Sequence, residues 1–339
     1  AEDGIRDVER SRGLGDVYKG QMQAIGNLVR DPGFAAYYAS RDYDHEILMP
    51  GRSSTPSRPV RLSVHLNPYG QGRKLLIARD VTALEQAEAM RRDFVANVSH
   101  EIRTPLTVLT GFIETLQTLA LTGEERSRYL GLMAQQAARM QTVVRDLLTL
   151  SRLEGSPLPG MSEWIAVDSL LSQCEQEARA LSMLVVGQNA APQQLHFGVS
   201  EPGEDMGEIA GTHHEILSAM SNLVSNAIRY TPAGGTVDVR WQWLPDGRAE
   251  FSVQDSGPGI APEHLPRLTE RFYRVDRSRS RETGGTGLGL SIVKHVLQRH
   301  GGVVDIQSRL GHGSTFSLWF LADRVRALSQ GEAGLARPS

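Results

Sequence analysis

Apolar residues recur at helical spacing through two long stretches in the middle of the chain. Steps of three and four residues place apolar side chains on one face of an α-helix, and the turn Leu121-Thr122-Gly123-Glu124 separates the two stretches. The pattern therefore predicts a helical hairpin. Because two helices alone would cover these stripes poorly, a four-helix bundle built by two chains is favoured. The stripes consist of Val98, Ile102, Leu106, Leu109, Ile113 and Leu116, then of Tyr129, Leu132, Gln136, Met140, Val143, Leu147 and Leu150.

A shorter segment ahead of the hairpin predicts a small α/β module over residues 22–84. A helical piece over 24–38 precedes the alternating run 60–66 and the apolar run 74–78, and turn residues fill 67–72 between them. Residues 1–21 show little periodicity and are left unassigned.

The segment Gly155-Ser156-Pro157-Leu158-Pro159-Gly160 interrupts the helical pattern. It separates the hairpin domain, 85–154, from a further α/β domain over 162–322, and residues 323–339 form a tail. In that domain Thr212 and Glu215 predict a capping box for a helix that ends near Arg229. Strands are predicted at 236–243, 249–253, 303–308 and 315–320, and a final helix at 288–300. The fold class is thus multidomain, α and α+β.

Composition removes several classes of function. The 339 residues, 40% hydrophobic and 22% charged, suit a soluble globular protein of two or three domains. A net charge of -3 argues against a nucleic-acid partner. The single Cys174 forms no internal disulfide and is expected to be a buried apolar residue. No apolar run reaches a membrane span, so the chain is expected to be soluble and cytoplasmic; its start at Ala1 suggests a fragment that has lost an upstream anchor.

His100 is the first candidate for chemistry. A helix turns about 100° per residue, so His100 lies on the face opposite Val98 and is expected to be exposed, with Thr104 one turn further on the same side. An exposed imidazole can attack phosphorus, and the neighbouring Glu101 can hold its tautomer or take its proton. Pro105 predicts a break or kink beside it. A lone exposed histidine is more often a plain surface residue, so the context decides.

The last domain lacks the P-loop and protein-kinase motifs, yet it contains candidate nucleotide residues. Asn222 and Asn226 share a helix face, where amide oxygens suit a hard cation. Asp255 can accept from an exocyclic amine, and the glycines after it allow a flat ligand to come close. The loop 285–290 leads into a helix whose N-terminus can face phosphates.

An arginine-rich segment lies between these motifs and is interpreted as a mobile lid with an apolar latch, Phe272 and Tyr273. Arginine runs are usually solvated surface, and only Arg274 and Arg277 are candidates for phosphate contact. Adjacent His213 and His214 point about 100° apart, which favours a cap and a surface residue over a metal site.

The segment Phe94-Val95-Ala96-Asn97-Val98-Ser99-His100-Glu101-Ile102-Arg103-Thr104-Pro105-Leu106 resembles the phosphoacceptor box of sensor histidine kinases. Four later boxes, 222–232, 255–260, 270–276 and 285–290, resemble the ATP-binding fold shared by histidine kinases, gyrase, Hsp90 and mismatch-repair ATPases. The resemblance implies a dimeric helical-hairpin phosphoacceptor domain and a GHKL-type (Bergerat) α/β-sandwich that binds ATP. The segment 22–84 resembles part of a PAS domain.

The resemblance also assigns roles. It makes His100 the phosphorylated residue, Glu101 the assisting acid or base, and Thr104 the group that orients water for hydrolysis of the phosphorylated regulator. Asn226 becomes the magnesium ligand and Asp255 the reader of the adenine amine. The full ATP-binding set is Asn222, Asn226, Arg229, Tyr230, Asp255, Gly257, Gly259, Ile260, Phe272, Arg274, Gly285, Thr286, Gly287, Leu288, Gly289, Leu290 and Thr315.

The implied protein is a kinase that uses ATP and Mg²⁺, works as a homodimer and passes phosphoryl groups to a response regulator. The segments 27–30, 78–82 and 260–276 are most similar to the phosphate-sensing branch of the family. That branch implies phosphate-starvation signalling, phosphatase activity, a complex with a phosphate transporter and an anchor in the bacterial inner membrane. Two alternatives stay open: an ATP-driven clamp of the gyrase and Hsp90 kind, and a non-catalytic dimeric sensor scaffold.

Overall fold

The computed structural model describes residues 29, 31–55, 59–69, 73–186, 190–199, 206–275 and 285–328. The chain divides after Ala96 into two compact units. The unassigned segment 1–21, most of the tail and the lid residues 276–284, which include Arg277, lie outside the described residues.

The residues described ahead of the long helices form a short helix and a three-stranded antiparallel sheet. Helix α1 spans Pro32–Ser40, and the sheet has the order β1-β2-β3, with β1 at Ile47–Pro50, β2 at Arg61–Tyr69 and β3 at Arg73–Asp80. The predicted hairpin of two strands is confirmed, whereas β1 was not predicted because four residues give too short a pattern. Residues 24–28 of the predicted helix lie outside the described part. A PAS domain stays a prediction. The core is Phe34, Tyr37, Met49, Val64 and Leu66.

Two long helices follow, as predicted. Helix α2 spans Thr82–Thr118 and α3 spans Gly123–Gly155. The expected break at Pro105 is wrong, because this residue is buried inside α2 and the helix continues through it. The kink expected there stays a prediction. A proline inside a helix costs about 3 kcal/mol, which one of the 37 residues of this helix can impose without ending it. No helix among the described residues has the length and apolar character to cross a membrane.

A capping box is present at the start of α3, whereas the box predicted at Thr212 does not form. Thr122 begins α3: its Oγ1 accepts from the Glu125 backbone N–H at 3.2 Å, and its own N–H donates to Glu125 Oε2 at 2.9 Å. Thr212 also precedes a helix, but its side chain makes no capping hydrogen bond. The predicted box fails there because the Glu215 carboxylate is engaged by Arg299 instead.

The C-terminal part of the second unit is a helix layer on a mixed sheet. The order of its strands is Gln194–Val199 (β5), Thr236–Trp243 (β7), Ala249–Asp255 (β8), Gly313–Phe320 (β10) and Val303–Arg309 (β9), and only the β5–β7 pair is parallel. Every strand and the final helix predicted in this region are confirmed within two residues. The helix over 167–186 and the strands at 164–166, 194–199, 208–210 and 325–326 were not predicted. The elements are β4 Trp164–Ala166, α4 Val167–Val186, β5 Gln194–Val199, β6 Glu208–Ala210, α5 His213–Tyr230, β7 Thr236–Trp243, β8 Ala249–Asp255, α6 Gly289–Arg299, β9 Val303–Arg309, β10 Gly313–Phe320 and β11 Val325–Arg326.

Both helices of the hairpin leave apolar side chains exposed within one chain. On α2, Leu106 and Ile113 of the predicted stripe are 54% and 43% exposed. On α3 the stripe residues Val143 and Leu150 are buried, but the neighbouring Val144 and Leu148 are 46% and 54% exposed. Val144 and Leu148 also line a groove of about 610 Å³ on α3. Large exposed apolar patches mark interaction sites, which agrees with the prediction that a second copy covers this face.

We predict that the double variant Val144→Glu/Leu148→Glu is monomeric where the unmodified chain is dimeric. Two carboxylates would have to be buried in the bundle without partners, and burying an unpaired charge is costly. Sedimentation equilibrium measures the mass. Gln135→Glu, at an exposed polar residue of α3 that does not line this groove, should leave the dimer intact; a dimeric double variant would show that this face is not the interface.

Candidate functional site

The phosphoacceptor box lies on α2, where His100 and Thr104 are exposed as the helical pattern predicted. The Thr104 hydroxyl donates to the His100 carbonyl at 3.1 Å, so it lies one turn along on the same side. An exposed ring on a rigid helix is accessible to a reactant from solvent or from another domain. This placement suits a nucleophile.

Glu101 turns toward α3 and is held by two arginines. Its Oε2 accepts from Arg139 Nη2 at 2.9 Å and from Arg274 Nη2 at 3.1 Å. The side chains of Arg139 and Arg274 are only 10% and 7% exposed. The carboxylate next to His100 is therefore the point where α2, α3 and the start of the lid segment meet. Arg139 was missed by sequence reasoning, because nothing in its spacing separates it from surface arginines.

Arg274 is incompletely satisfied in this position. Burial lowers its pKa, although Glu101 opposes the effect, and the Nε–H of Arg274 is buried with no hydrogen-bond partner among the described residues. An unpaired buried donor costs about 1–3 kcal/mol. The guanidinium therefore has capacity for another acceptor.

Phe272, two residues before Arg274, is hydrogen-bonded to the glycine loop, residues 285–290. The Phe272 N–H donates to the Gly287 carbonyl at 2.8 Å, and Phe272 has a φ of 61°, which is rare for a residue with a side chain. Gly287 has a φ of 74°, and a Cβ there would lie 2.9 Å from Phe272 Cα. Only glycine permits this approach.

Thr286 connects the glycine loop to the hairpin. This buried residue donates from Oγ1 to Asp146 Oδ2 on α3 at 2.6 Å and accepts from the Leu288 N–H at 3.2 Å. Burial raises the pKa of Asp146, and the Thr286 bond opposes the rise. Sequence reasoning included Thr286 and missed Asp146, which carries no local motif.

Where α6 begins, the loop packs against α5. A Cβ on Gly289 would lie 2.5 Å from Asn222 Oδ1, so the glycine lets the two helices approach. The Asn222 side-chain amide donates to the Ser218 carbonyl at 2.8 Å. Leu288 is fully buried, Leu290 is half-buried, and a Cβ on Gly285 would lie 3.8 Å from the Tyr230 hydroxyl oxygen.

Asp255 ends strand β8 and is 7% exposed. Its Oδ1 accepts from the Gly257 N–H at 2.8 Å. Burial raises the pKa of this carboxyl, and the backbone N–H groups of Gly257 and Ser314 counteract the rise. The carboxylate is thus oriented by backbone N–H groups at the end of the central strand of the five-stranded sheet.

The backbone after Asp255 approaches β9 closely. Gly259 has a φ of 68°, and a Cβ there would collide with the Arg309 carbonyl. The Ile260 N–H donates to Ser308 Oγ at 2.8 Å. Thr315, paired with Gln254 across the sheet, is half-buried on β10.

Asn226 is half-buried one helical turn after Asn222, and Arg229 and Tyr230 follow at the end of α5. The donor set fits a hard cation that takes an amide oxygen from the protein and its remaining oxygens from phosphate and water. The described residues contain no group of three His, Cys, Asp or Glu side chains able to hold a metal. His214 is exposed, as expected for a surface residue, whereas His213 is half-buried and is the first helical residue of α5 rather than its cap, which is Thr212.

Cys174 confirms the expectation of a buried apolar residue. It is 1% exposed, and burial raises the pKa of its thiol to about 11. A thiol in this state is a poor nucleophile.

Two family models match the chain. Residues 90–156 match the His Kinase A (phospho-acceptor) domain, and residues 211–324 match the histidine kinase-, DNA gyrase B-, and HSP90-like ATPase. The first match contains His100 with its neighbours, and the second contains Asn226, Asp255 and the glycine loop.

Curated relatives agree with these matches. The phosphate regulon sensor protein PhoR of Pseudomonas aeruginosa is 45% identical over 304 residues, which are 89% of this chain and 66% of that protein. The sensor-like histidine kinase SenX3 of Mycobacterium tuberculosis is 36% identical over 316 residues, 89% of this chain and 74% of its own. The chain therefore spans about two thirds to three quarters of these relatives.

A solved structure shares the fold. Histidine kinase ThkA, in complex with the response regulator TrrA, matches with a TM-score of 0.52 over 88% of this chain and 86% of its own, at 19% identity. Similarity at this level supports the architecture alone.

We predict that Asp146→Asn raises the stability of the folded chain at neutral pH. Because burial raises the folded pKa of Asp146, the folded state binds the proton more tightly than the unfolded state. The unmodified chain therefore loses stability as pH rises through that pKa, and the amide variant lacks this loss while still accepting from Thr286. Urea unfolding between about pH 3 and 8, a range that begins below the ordinary pKa of an aspartate, measures the difference.

The advantage of Asp146→Asn should shrink toward acidic pH. Asp246→Asn is a control of opposite sign, since the backbone N–H of Arg248 is the main cause of the lowered pKa of Asp246. A constant difference between Asp146→Asn and the unmodified chain over the whole range would contradict the assignment.

Proposed function

The chain belongs to the sensor histidine kinase family, and from that premise we propose that it moves the γ-phosphoryl group of ATP to His100 and then to an aspartate of a response regulator. The observation that carries the proposal is the placement of His100. It is exposed on α2, and the residue that follows it in the chain, Glu101, binds Arg274 of the nucleotide region through its carboxylate. The acceptor helix and the nucleotide region therefore already meet at the residue next to the acceptor.

The first step forms a phosphorus–nitrogen bond and breaks the bond between the γ-phosphorus and the bridging oxygen, so that ADP leaves. An unprotonated ring nitrogen of His100 attacks in line, and the proton of the other nitrogen passes to Glu101 or to water. Phosphoryl transfer depends mostly on positioning and charge neutralisation. In the second step an aspartate oxygen of the regulator takes the phosphoryl group and restores His100.

For nucleotide binding, we assign Asp255 to the exocyclic amine of adenine. Its carboxylate is oriented by the Gly257 N–H, and the glycine turn that follows packs closely against the Tyr230 and Arg309 carbonyls. Asn226 would hold Mg²⁺, whose charge neutralises the phosphates. The loop 285–290 would receive the phosphates through its N–H groups at the start of α6.

Arg274 has two acceptors in this proposal. Without nucleotide it binds Glu101, and its Nε–H stays without a partner among the described residues. A γ-phosphate would offer several strong acceptors. Moving Arg274 from Glu101 to the phosphate would stabilise the transferred group and at the same time release the carboxylate next to His100.

The biological role proposed is signalling of phosphate starvation, which rests on the 45% identity to PhoR. Phosphatase activity through Thr104, a PAS-type sensor module, a transporter complex and an inner-membrane anchor for the whole protein stay predictions from the family resemblance. A homodimer is supported by the exposed stripes of the hairpin.

The two rival functions differ in what they demand of His100. A clamp of the gyrase and Hsp90 kind would use the same ATP pocket and give the phosphoacceptor box no task. A non-catalytic scaffold would bind ATP without forming a phosphohistidine. His100 is exposed, and the carboxylate of the next residue, Glu101, pairs with Arg139 and Arg274. This arrangement favours the kinase over both rival functions.

We predict that His100→Gln abolishes acid-labile labelling from γ-³²P-ATP while nucleotide affinity stays unchanged. The amide keeps a polar surface residue and removes the nucleophile. The label is followed by filter binding after alkaline and acid treatment. His214→Gln, another exposed histidine, should label normally. Full labelling of His100→Gln would place the phosphoryl group elsewhere.

We predict that Asp255→Asn weakens ATP binding by about tenfold to a hundredfold, the loss of one charge-assisted hydrogen bond. The amide can turn a donor toward the adenine amine, where an acceptor is needed. Calorimetric titration measures the affinity, and Asp246→Asn on an exposed turn is the matched control. Unchanged ATP affinity in Asp255→Asn would remove Asp255 from adenine recognition.

A further inference from the structure

The junction between α3 and the nucleotide region is built around one guanidinium. Arg299, the last residue of α6, makes five hydrogen bonds, which equals its number of N–H donors. Two go to Glu215 on α5, from Nε at 3.0 Å and from Nη2 at 3.2 Å. The side chains of Arg299 and Glu215 are 9% and 7% exposed, so the pair is almost fully removed from water.

The other three bonds go to backbone carbonyls where α3 ends and the linker begins. Arg299 Nη1 donates to the Leu153 carbonyl at 2.7 Å and to the Ser156 carbonyl at 2.9 Å, and Nη2 donates to the Pro157 carbonyl at 2.7 Å. The last carbonyls of a helix have no partner within the helix. A cation placed there also interacts favourably with the helix dipole.

The sequence explains why the carbonyl of Leu153 needs an outside donor. In a continuing helix it would accept from the N–H of residue 157, but Pro157 has no N–H. The same proline ends the helix, so the chain leaves α3 at a defined point. Arg299 thus supplies donors at the place where the sequence removes one.

A second arginine binds the linker a few residues later. Arg324 Nη1 donates to the Gly160 carbonyl at 3.0 Å and to the Pro159 carbonyl at 3.3 Å. The linker is therefore bound by side chains of the nucleotide region at two successive proline-containing segments. A connection that served as a free tether would have no need of these contacts.

We propose that Arg299 is a positioning residue: it fixes the end of α3 to the nucleotide region and so sets the path along which bound ATP approaches His100. The inference rests on the proposed kinase function. Glu215 orients the guanidinium by two bonds, and the remaining N–H groups hold the carbonyls. None of these groups belongs to the nucleotide pocket. Loss of the hydrogen bonds from Arg299 to the three carbonyls should therefore slow phosphoryl transfer without changing ATP affinity.

The first test uses Arg299→Lys in the full chain. Lysine keeps the buried positive charge beside Glu215 but has only three donors in a different geometry, so it cannot hold Glu215 and three carbonyls together. We expect the labelling rate of His100 at saturating ATP to fall about tenfold, the scale of a small misplacement of reactants. The KM for ATP and the affinity for a fluorescent ADP analogue should stay within twofold.

A charge exchange separates the effect of the hydrogen bonds to the linker carbonyls from the effect of the ion pair between Arg299 and Glu215. The double variant Glu215→Arg/Arg299→Glu keeps opposite charges between α5 and α6, but a carboxylate at 299 donates nothing to the carbonyls. We expect its melting temperature to exceed that of Arg299→Glu alone while the labelling rate stays low. Should the exchanged chain fail to melt cooperatively, Arg299→Lys decides the matter.

Arg326→Lys is the matched control. Arg326 also pairs with a glutamate, Glu208, and stacks on Trp164, but it is 53% exposed and makes none of the linker contacts. Its labelling rate should equal that of the unmodified chain.

Three outcomes would overturn the inference. An unchanged labelling rate in Arg299→Lys would mean that Arg299 contributes only its ion pair with Glu215. Equal loss of labelling rate and ATP affinity would indicate damage to the nucleotide region. Faster labelling would mean that the contacts of Arg299 with the linker slow phosphoryl transfer. Absence of label in the unmodified chain would instead contradict the proposed kinase function, which keeps the two failures apart.

Discussion

The Glu101 carboxylate is where the chemistry of this protein and its architecture coincide. It follows His100 in the chain and accepts from Arg139 on α3 and from Arg274 at the start of the lid segment. Removing charged groups from water is expensive unless they are paired, so these two buried arginines need the carboxylate. A ligand that offers Arg274 a better acceptor changes the surroundings of His100 directly.

Close backbone approach is the second requirement. Phe272 adopts a left-handed conformation to reach the Gly287 carbonyl, and Gly289 lets α6 start against Asn222. Side chains at these glycines would separate the elements that form the phosphate end of the proposed pocket. The loop is therefore glycine-rich for packing as well as for binding, and Thr286 extends the packing to Asp146 on the hairpin.

Local patterns were sufficient for much of the fold. Apolar spacing predicted α2 and α3, alternation predicted β7 and β8, and the position of His100 opposite Val98 predicted its exposure. Of the elements that sequence reasoning missed, β1 is too short to give a pattern, whereas α4 does carry an apolar stripe, Leu170, Leu171, Cys174 and Ala178, whose spacing predicts a helix. Pro105 was judged by its local cost alone, whereas the long helix on both sides of it decides the outcome.

Long-range partners could not be predicted from the sequence. Arg139, Asp146, Glu154 and Arg299 have no motif, and each matters because the fold brings it to a distant residue; Glu154, for example, pairs with Arg271. Glu215 shows that a local pattern can also mislead. Its spacing from Thr212 suggested a capping box, but its partner is Arg299, which is 84 residues away.

The central claim is that the phosphoryl group of ATP comes to rest on His100. Peptide mapping by mass spectrometry at alkaline pH, after incubation of the full chain with ATP and Mg²⁺, locates the added group directly. The account predicts a phosphorylated peptide that contains His100 and loses the group in acid. A stable phosphate on a serine or threonine, or on a histidine outside α2, would contradict it.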